Sequence, residues 1–573
     1  MNNFDEIKNF KRGNIGLAQL NFVAGDIEYN AKKIIKHINL AQEMALDLVI
    51  FPELSLVGSP LKDTVIRHPF LIDENIKWLQ EIAKLTTKTT AIIGFISTNN
   101  ISSFAIVSNG EIQKVIENGM SQFEINGINY SVSTSKDDVE NEEAQVIIKC
   151  FNTPCRKNKE QILSNLLSFI AKTHNKPLVY VNQVGATDNY SFDGVSRVYD
   201  ENGELSAQAK SFEEDFLIVN PLENYGKISP LSKGLEQPFE DRFSLDYEND
   251  LERVYKTIIQ GIKDYFSKNG LERAVLGLSG GLDSTVCAVL LADALGKENV
   301  YGVSMPSKIT SNESRTDAEE LARNLGIYYS EMPIKSMVDT TNEVFTELFS
   351  EVEKGWDCRY QKSFTQDNIQ ARSRAIYLWG IANEFAKCVS IATSDKSELY
   401  MGYATINGDM SGGFAPIADV TKTKLFALAR WMNKNREVKN AIPESIILKR
   451  PGAELAIDER TGKPLCAEDA LMPYEFLDEI IWRVEHKQET YQDMLNSEFV
   501  YEKTHSISNE QKQEWLEKFY RRMSFALFKW SIMPISVIVD TCSISDYNQP
   551  VATSRINYKG HSKEQIRDIL ENV

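Results

Sequence analysis

One stretch constrains the fold of this chain more than any other. The apolar run Ala274 to Leu278 (AVLGL) leads straight into SGGLDS, Ser279 to Ser284, and then into TVCAVLLADALG, a helical pattern closing on Gly296. A strand that feeds a helix through a glycine turn is the opening unit of a parallel, doubly wound sheet. It is also a phosphate site by construction. Glycines let backbone approach an anion closely, amide N–H groups converge on it, and the following helix adds the positive end of its dipole. The Asp283 carboxylate would oppose a bare phosphate and fits if Mg²⁺ lies between them, since magnesium takes one or two carboxylates together with phosphate oxygens and water. An ordinary strand-to-helix turn is the bland alternative, and a lone Gly-Gly would favour it. Strand, S-G-G-x-D-S and helix in this order favour a nucleotide. Because the pattern differs from G-x-x-x-x-G-K-[ST], transfer of a γ-phosphate is not the natural inference.

The rest of the chain sets bounds on what that unit belongs to. A length of 573 residues implies several domains. With 81 acidic against 63 basic side chains the formal charge is -18, which argues against nucleic acid as the principal partner. Seven cysteines, scattered and without a C-x-x-C pair, suggest neither a disulfide framework nor a structural zinc site. The start MNNFDEIKNFKRG lacks the apolar run of a signal peptide, and no run of about 18 apolar residues occurs, so a cytoplasmic chain without a membrane role is expected. Short β-branched runs at Ile15 to Leu20, Leu48 to Phe51, Ala91 to Phe95, Phe104 to Val107, Val146 to Ile148 and Leu178 to Val181 predict a layered α/β domain over residues 1–220. Between the first two, Ile34, Ile38, Ala41 and Ala45 recur at helical spacing. From 221 to 247 the periodicity lapses and Pro221, Pro230 and Pro238 interrupt it, which reads as a linker. Residues 248–573 form the second domain: a helix around Leu251 to Phe266, the strand-loop-helix unit, further strands at Val300 to Val303 and Val389 to Ala392, and an irregular C-terminal extension with helical stretches at Tyr474 to Glu485 and Glu510 to Phe525.

The loop resembles that of the pyrophosphatase-loop ATPases, which split ATP between its α and β phosphates and adenylate a substrate. MPSKITSNESRTDAEELARNLGI (Met305 to Ile327), NIQARSRAIYLWGIAN (Asn368 to Asn383) and TSDKSELYMGYATINGDMSGGFAPIADVTKTKL (Thr393 to Leu425) resemble NAD synthetase throughout. VYVNQVGATDNYSFDGVSRVYDENGEL (Val179 to Leu205) resembles the nitrilase-like glutaminase domain fused to that synthetase in glutamine-dependent enzymes. The resemblance implies an N-terminal nitrilase-like α/β sandwich and a C-terminal Rossmann-like doubly wound domain, assembled as a homodimer or a higher homo-oligomer. It implies amidation of the nicotinate carboxylate of deamido-NAD: attack on the α-phosphorus of ATP gives an acyl adenylate and pyrophosphate, and ammonia then displaces AMP. By resemblance, Ser279, Gly280, Gly281, Asp283 and Ser284 hold pyrophosphate, Asp283 and Glu398 hold Mg²⁺, and Thr393 and Lys422 contact ATP. Asp283, Glu398 and Lys422 are the catalytic set. Asn368, Arg372, Arg374 and Asp409 map to the deamido-NAD site. Two guanidinium forks suit a dinucleotide pyrophosphate, although isolated charges on a helix are commonly just solvated. The segment Lys396 to Gly413, with four glycines, reads as irregular backbone closing over a ligand.

In the N-terminal half the resemblance breaks at the chemistry. Nitrilase-type glutaminases use a glutamate base, a lysine and a cysteine nucleophile. Glu53, in VIFPEL, matches the glutamate. Where the cysteine strand is expected the chain reads GINYSVSTSKDD (Gly127 to Asp138), so Ser135 falls at the nucleophile position and Lys136 at the adjacent glutamate. The loop that should carry the lysine is reduced to KVIENGMSQF (Lys114 to Phe123). A serine hydroxyl needs a strong, well-placed base where a thiol does not. Cys150 and Cys155 lie beyond the next strand and read as small buried hydrophobes. These residues predict a degenerate glutaminase and a synthetase that uses ammonia. The competing readings are a working glutamine-dependent synthetase and a ligand-binding pseudoenzyme with a regulatory or scaffolding role; the intact set Ser279, Asp283, Glu398 and Lys422 stands against the latter.

Overall fold

The computed structural model describes residues 12–117, 119–133, 143–223, 225–227, 250–352, 362–436, 438–452, 466–497, 499 and 507–544. The chain divides into two compact units, Met1–Lys268 and Asn269–Val573. The proposed linker lies mostly outside the described residues, and so does Ser135.

The first unit is built on two sheets. One contains β1 (Ile15–Gln19), β2 (Leu48–Ile50), β3 (Thr90–Ile96), β4 (Ser102–Ser108), β5 (Glu111–Ile116), β14 (Asp215–Asn220) and β15 (Tyr225–Lys227), in the order β15-β14-β1-β2-β3-β4-β5. The other contains β6 (Met120–Ile125), β7 (Ile128–Ser133), β8 (Val146–Cys150), β9 (Leu178–Val181), β12 (Arg197–Tyr199) and β13 (Leu205–Gln208), in the order β13-β12-β9-β8-β7-β6. Strand alternation decides the layers. Ile15, Leu17, Leu48 and Ile50 turn one way and meet Tyr130, Val132, Ile148 and Val179 of the opposite sheet. Ala18, Val49 and Phe51 turn the other way, against Ile34, Ile38 and Leu79 of the helices Ile27–Glu43 and Phe70–Leu85. On the far face of the second sheet, Ile147 and Tyr180 pack on Leu163 and Leu167 of the helix Lys159–His174. The result is an α/β sandwich of four layers. Ile34, Ile38 and Ala41 are buried as their spacing predicts, but the first helix stops at Glu43, and Ala45 sits exposed with φ 53° in the turn that follows.

Helix Asp250–Lys268, read from sequence as the start of the second domain, packs on the hairpin β10 (Val184–Thr187) and β11 (Tyr190–Asp193) and falls within the first unit. Its Gln260 donates to the Phe192 carbonyl at 3.0 Å, and Asp264 accepts from the Asn21 side chain at 2.9 Å.

The second unit carries a parallel sheet of β16 (Arg273–Gly277), β17 (Val300–Ser304), β18 (Tyr328–Glu331) and β19 (Cys388–Ser390), in the order β18-β17-β16-β19. The chain winds outward from β16 to β17 and β18, then returns to pair β19 on the other side of β16. Strand order therefore reverses between β16 and β19, and the crevice beyond their C-terminal ends is where a doubly wound sheet takes a ligand. Helix Leu282–Leu295 follows β16 and is buried over almost every residue from Leu282 to Leu291, which is why its sequence is apolar all round. The C-terminal extension is less irregular than its sequence suggests. Helices Tyr474–Trp482 and Asn509–Trp530 pack Phe476, Ile480, Phe519 and Met523 on Leu399 and Tyr400.

Candidate active site

The loop after β16 is shaped by its glycines and knit by its serines. Gly280 has φ 72°, and a Cβ there would lie 2.1 Å from the backbone oxygen of Ser314, so no side chain fits. Gly281 is the N-cap of helix 282–295 and has no side chain to occupy the first amides, which leaves them to face an anion. The Ser279 amide donates to Ser284 Oγ at 3.2 Å, the two hydroxyls lie 3.1 Å apart, and Gly281 N donates back to Ser279 Oγ at 3.2 Å.

Three carboxylates close the crevice. Asp283 comes from the loop after β16; Asp395 and Glu398 come from the segment after β19, where Asp395 caps the short helix Lys396–Tyr400 by accepting from the Glu398 amide at 2.9 Å. One oxygen of each lies within 4.8 Å of the others. Lys422, the first residue of helix Lys422–Asn435, places its Nζ among them, 2.7 Å from Asp283, 2.6 Å from Asp395 and 3.1 Å from Glu398. The ammonium also stands 5.2 Å over the Tyr474 ring. Three carboxylates, when all ionised, would leave an excess of two negative charges around Lys422, in a site where Lys422 is 1% and Asp395 0% exposed. Burial, reinforced by the charge of Asp395 and opposed by Lys422, raises the Asp283 carboxyl to about 6. Glu398 is pushed well above the usual carboxylate range, first by burial and then by its acidic neighbours. Burial works against the Lys422 ammonium, but the three carboxylates outweigh it and hold the proton firmly. A divalent cation would relieve this excess, and carboxylate oxygens at this spacing suit magnesium. The donor set thus fits Mg²⁺ held by Asp283 and Glu398, with Asp395 as a third carboxylate that the sequence reading did not single out. The signal was present in SDKSE, where an aspartate stands three residues before a glutamate at a helix start.

Of the other expected residues, Asn368, Arg372 and Asp409 converge on one turn. Thr405 donates its hydroxyl to Asn368 Oδ1 at 2.9 Å and its amide to Asp409 Oδ1 at 2.6 Å, while Arg372 Nε donates to the Ile406 carbonyl at 3.2 Å. Arg374 does not join them. Two residues along a helix is a rotation of roughly 200°, and its Nε donates instead to the Met305 carbonyl at 3.1 Å, just past the end of β17. The two guanidiniums are thus engaged through Nε with different carbonyls. Thr393 is half-buried between β19 and Asp395.

In the first unit, Glu53 follows β2 and is fully engaged. Its Oε1 accepts from Ser102 Oγ and its Oε2 from the Asn152 amide, both at 2.9 Å, and Asn152 Nδ2 donates to its carbonyl at 2.9 Å. Lys114 Nζ donates to the Gln122 carbonyl at 3.2 Å. Cys150 is buried in the sandwich and its thiol is driven far up by burial, with the Glu53 charge adding to the effect. Cys155 is pushed up to about 12 by burial and the charge of Asp193, and its Sγ lies 3.4 Å from Thr257 Oγ1.

Residues 254–521 match the NAD synthase family and residues 14–119 the carbon-nitrogen hydrolase family. A "Glutamine-dependent NAD(+) synthetase" of Thermotoga maritima is 36% identical over 526 residues, 82% of this chain and 88% of that protein. The chain belongs to the glutamine-dependent NAD(+) synthetase family. The Synechocystis protein of the same name is 31% identical over 85% of this chain and 90% of its own length. Among solved structures, the glutamine-dependent NAD+ synthetase of Acinetobacter baumannii in complex with ADP superposes with a TM-score of 0.67 at 26% identity, covering 95% of this chain and 99% of that one. The enzyme of that name from Cytophaga hutchinsonii shares the fold with a TM-score of 0.73 at 19% identity, covering 98% and 100% of the two chains. A nitrilase-fold unit followed by an NAD synthetase unit is thus the architecture of this family, and the chain is an NAD synthetase, an ATP-dependent amide-forming ligase.

Proposed function

We propose that the site beyond β16 and β19 binds ATP with Mg²⁺, adenylates the nicotinate carboxylate of deamido-NAD and lets ammonia displace AMP. The observation that carries this reading is the triangle of Asp283, Asp395 and Glu398 around Lys422, at the switch point of the sheet and beside a glycine loop that leads into a helix whose N-cap, Gly281, makes no side-chain cap hydrogen bond. Such a site handles two successive developments of charge. Pyrophosphate leaves carrying negative charge that the loop amides, Lys422 and a bound magnesium would balance; magnesium, when held there, supplies Lewis-acid polarisation of phosphate oxygens. Asn368, Arg372 and Asp409 would hold the dinucleotide, with Arg374 serving a different part of it.

For the nitrogen, the geometry of the first unit supports free ammonia. Both oxygens of Glu53 are taken up by Ser102 and the Asn152 amide, and the two cysteines nearest in sequence are buried with their thiols held neutral. Glutamine is the second reading, and the comparisons favour it, because the Thermotoga maritima and Synechocystis relatives are named glutamine-dependent. NAD, AMP and pyrophosphate are to be measured with ATP, Mg²⁺, deamido-NAD and either ammonium or glutamine. The proposal expects full turnover with ammonium and less than a tenth of it with glutamine, with no glutamyl-enzyme at Ser135. Equal turnover on glutamine, abolished by Ser135→Ala, would make the second reading the right one. Release of ADP and phosphate would overturn the adenylation itself.

A further inference from the structure

The start of helix 422–435 is capped from outside itself. Its own N-cap residue, Thr421, makes no side-chain cap hydrogen bond. The Lys422 amide donates instead to Ser397 Oγ at 2.9 Å, and the Thr423 amide donates to Asp478 Oδ2 at 2.8 Å. The Ser397 hydroxyl completes the chain by donating to Asp478 Oδ1. Three of the four residues so joined are buried: Ser397 is 0% exposed, Lys422 1% and Asp478 8%, while Thr423 is half-buried. The serine belongs to the short helix that also supplies Glu398, and Asp395 caps that helix. One element thus holds Lys422 at both ends, its amide through Ser397 and its ammonium through Asp395 and Glu398. Asp478, from helix 474–482 of the C-terminal extension, locks that element to the lysine's own helix.

We infer that Asp478 is a positioning residue for the reaction, setting through Ser397 and the first turn of helix 422–435 the point from which the Lys422 side chain reaches the carboxylates. This rests on the reading of Lys422 as part of the ATP site. The carboxylate is suited to the task because it accepts from two donors that diverge from one point, and because a negative charge at a helix N-terminus is favourable. An amide of the same shape offers one acceptor and one donor face, so Asn at this position fails one of the two bonds. Lys422 would then start from a displaced first turn, and displacements of about 1 Å at a reacting centre cost on the order of 10²-fold in rate.

The test is steady-state kinetics of the full chain with ammonium, ATP, Mg²⁺ and deamido-NAD, for Asp478→Asn, Ser397→Ala and Lys422→Met, with thermal unfolding of each. Asp478→Asn is expected to lower kcat between tenfold and a hundredfold on the same principle of misplacement, while KM for ATP and for deamido-NAD stays within about threefold. The variant should remain folded at the assay temperature. Ser397→Ala, which removes the neighbouring link, is expected to show the same split, and it carries the test if Asp478→Asn is not folded. A kcat within twofold of wild type in a folded variant overturns the inference, as does a loss that follows only the folded fraction. Lys422→Met separates the two levels: loss of turnover there together with a wild-type Asp478→Asn rejects the positioning role alone, whereas retained turnover rejects the assignment of the site as well.

Discussion

Replacing Lys422 by methionine keeps the length and apolar stem of the side chain and deletes only the ammonium. In the structure that ammonium is the charge holding three carboxylates whose oxygens lie within 4.8 Å of one another. At that separation and an effective dielectric constant near 20, each ionised pair repels by about 3.5 kcal/mol, or about 10 kcal/mol for three. Proton uptake limits the damage. Asp283 already sits at about 6 against an ordinary value of 3.8, and without the lysine it would stay protonated at neutral pH. Holding one proton there at pH 7 costs about 4 kcal/mol at about 1.4 kcal/mol per pH unit, of which the wild type, whose carboxyl sits at about 6, already bears about 3 kcal/mol. The sign follows from linkage: the folded variant binds a proton that the unfolded chain releases above 3.8, so its stability rises as pH falls and the deficit is greatest above the raised folded value. We therefore expect Lys422→Met to lose at least about 1.4 kcal/mol in urea unfolding of the second unit at pH 7 in EDTA, with the gap to wild type narrowing as pH falls towards 6 and levelling below it, where the wild-type carboxyl also takes up its proton. Mg²⁺ should restore part of it. A loss that is independent of pH and of Mg²⁺, or no loss at all, would refute the electrostatic account of the triangle.

Two further substitutions probe the same crevice. Asp283→Ala should leave the fold intact and lower AMP formation by about 10²-fold or more, the usual effect of losing one preorganised electrostatic element; near wild-type turnover at saturating Mg²⁺ would remove Asp283 from the site. Gly280→Ala forces a Cβ to 2.1 Å from the Ser314 backbone oxygen at φ 72°, so it should lower the urea midpoint by the equivalent of about 1–3 kcal/mol and raise KM for ATP; an unchanged midpoint would show that the loop yields.

Six of the first unit's strands with apolar runs were legible from residue patterns alone, because each has at least one face in a core, whereas β14, DFLIVN, carries the same signature and was not singled out. Other strands that escaped notice lack that signature. β5, EIQKVI, is a sheet edge with exposed residues over most of its length, and the hairpin β10 and β11 reads VGAT and YSFD. The phosphate loop was legible because it is local, six residues whose backbone makes the site. Lys422 finds its partners 24 to 139 positions away, and the bond from Ser397 to Asp478 spans 81 positions. Pairings of that kind are made by the fold, and nothing in YEFLDEII distinguishes Asp478 from an acidic residue on a solvated helix face. The same limit explains the arginines: separated by a single residue, Arg372 and Arg374 looked like one fork, and helical rotation sends them to different carbonyls.

The path of one oxygen atom tests the adenylation most directly. If the carboxylate attacks the α-phosphorus and AMP is then displaced by ammonia, an oxygen of the carboxylate must leave on AMP. Deamido-NAD labelled with ¹⁸O in its nicotinate carboxylate, turned over with ammonium, ATP and Mg²⁺, should yield AMP carrying one labelled oxygen for each NAD formed, as read by mass spectrometry or by the isotope shift of its phosphorus resonance. Label in pyrophosphate or in inorganic phosphate, or unlabelled AMP alongside amidated product, would contradict the account of this site.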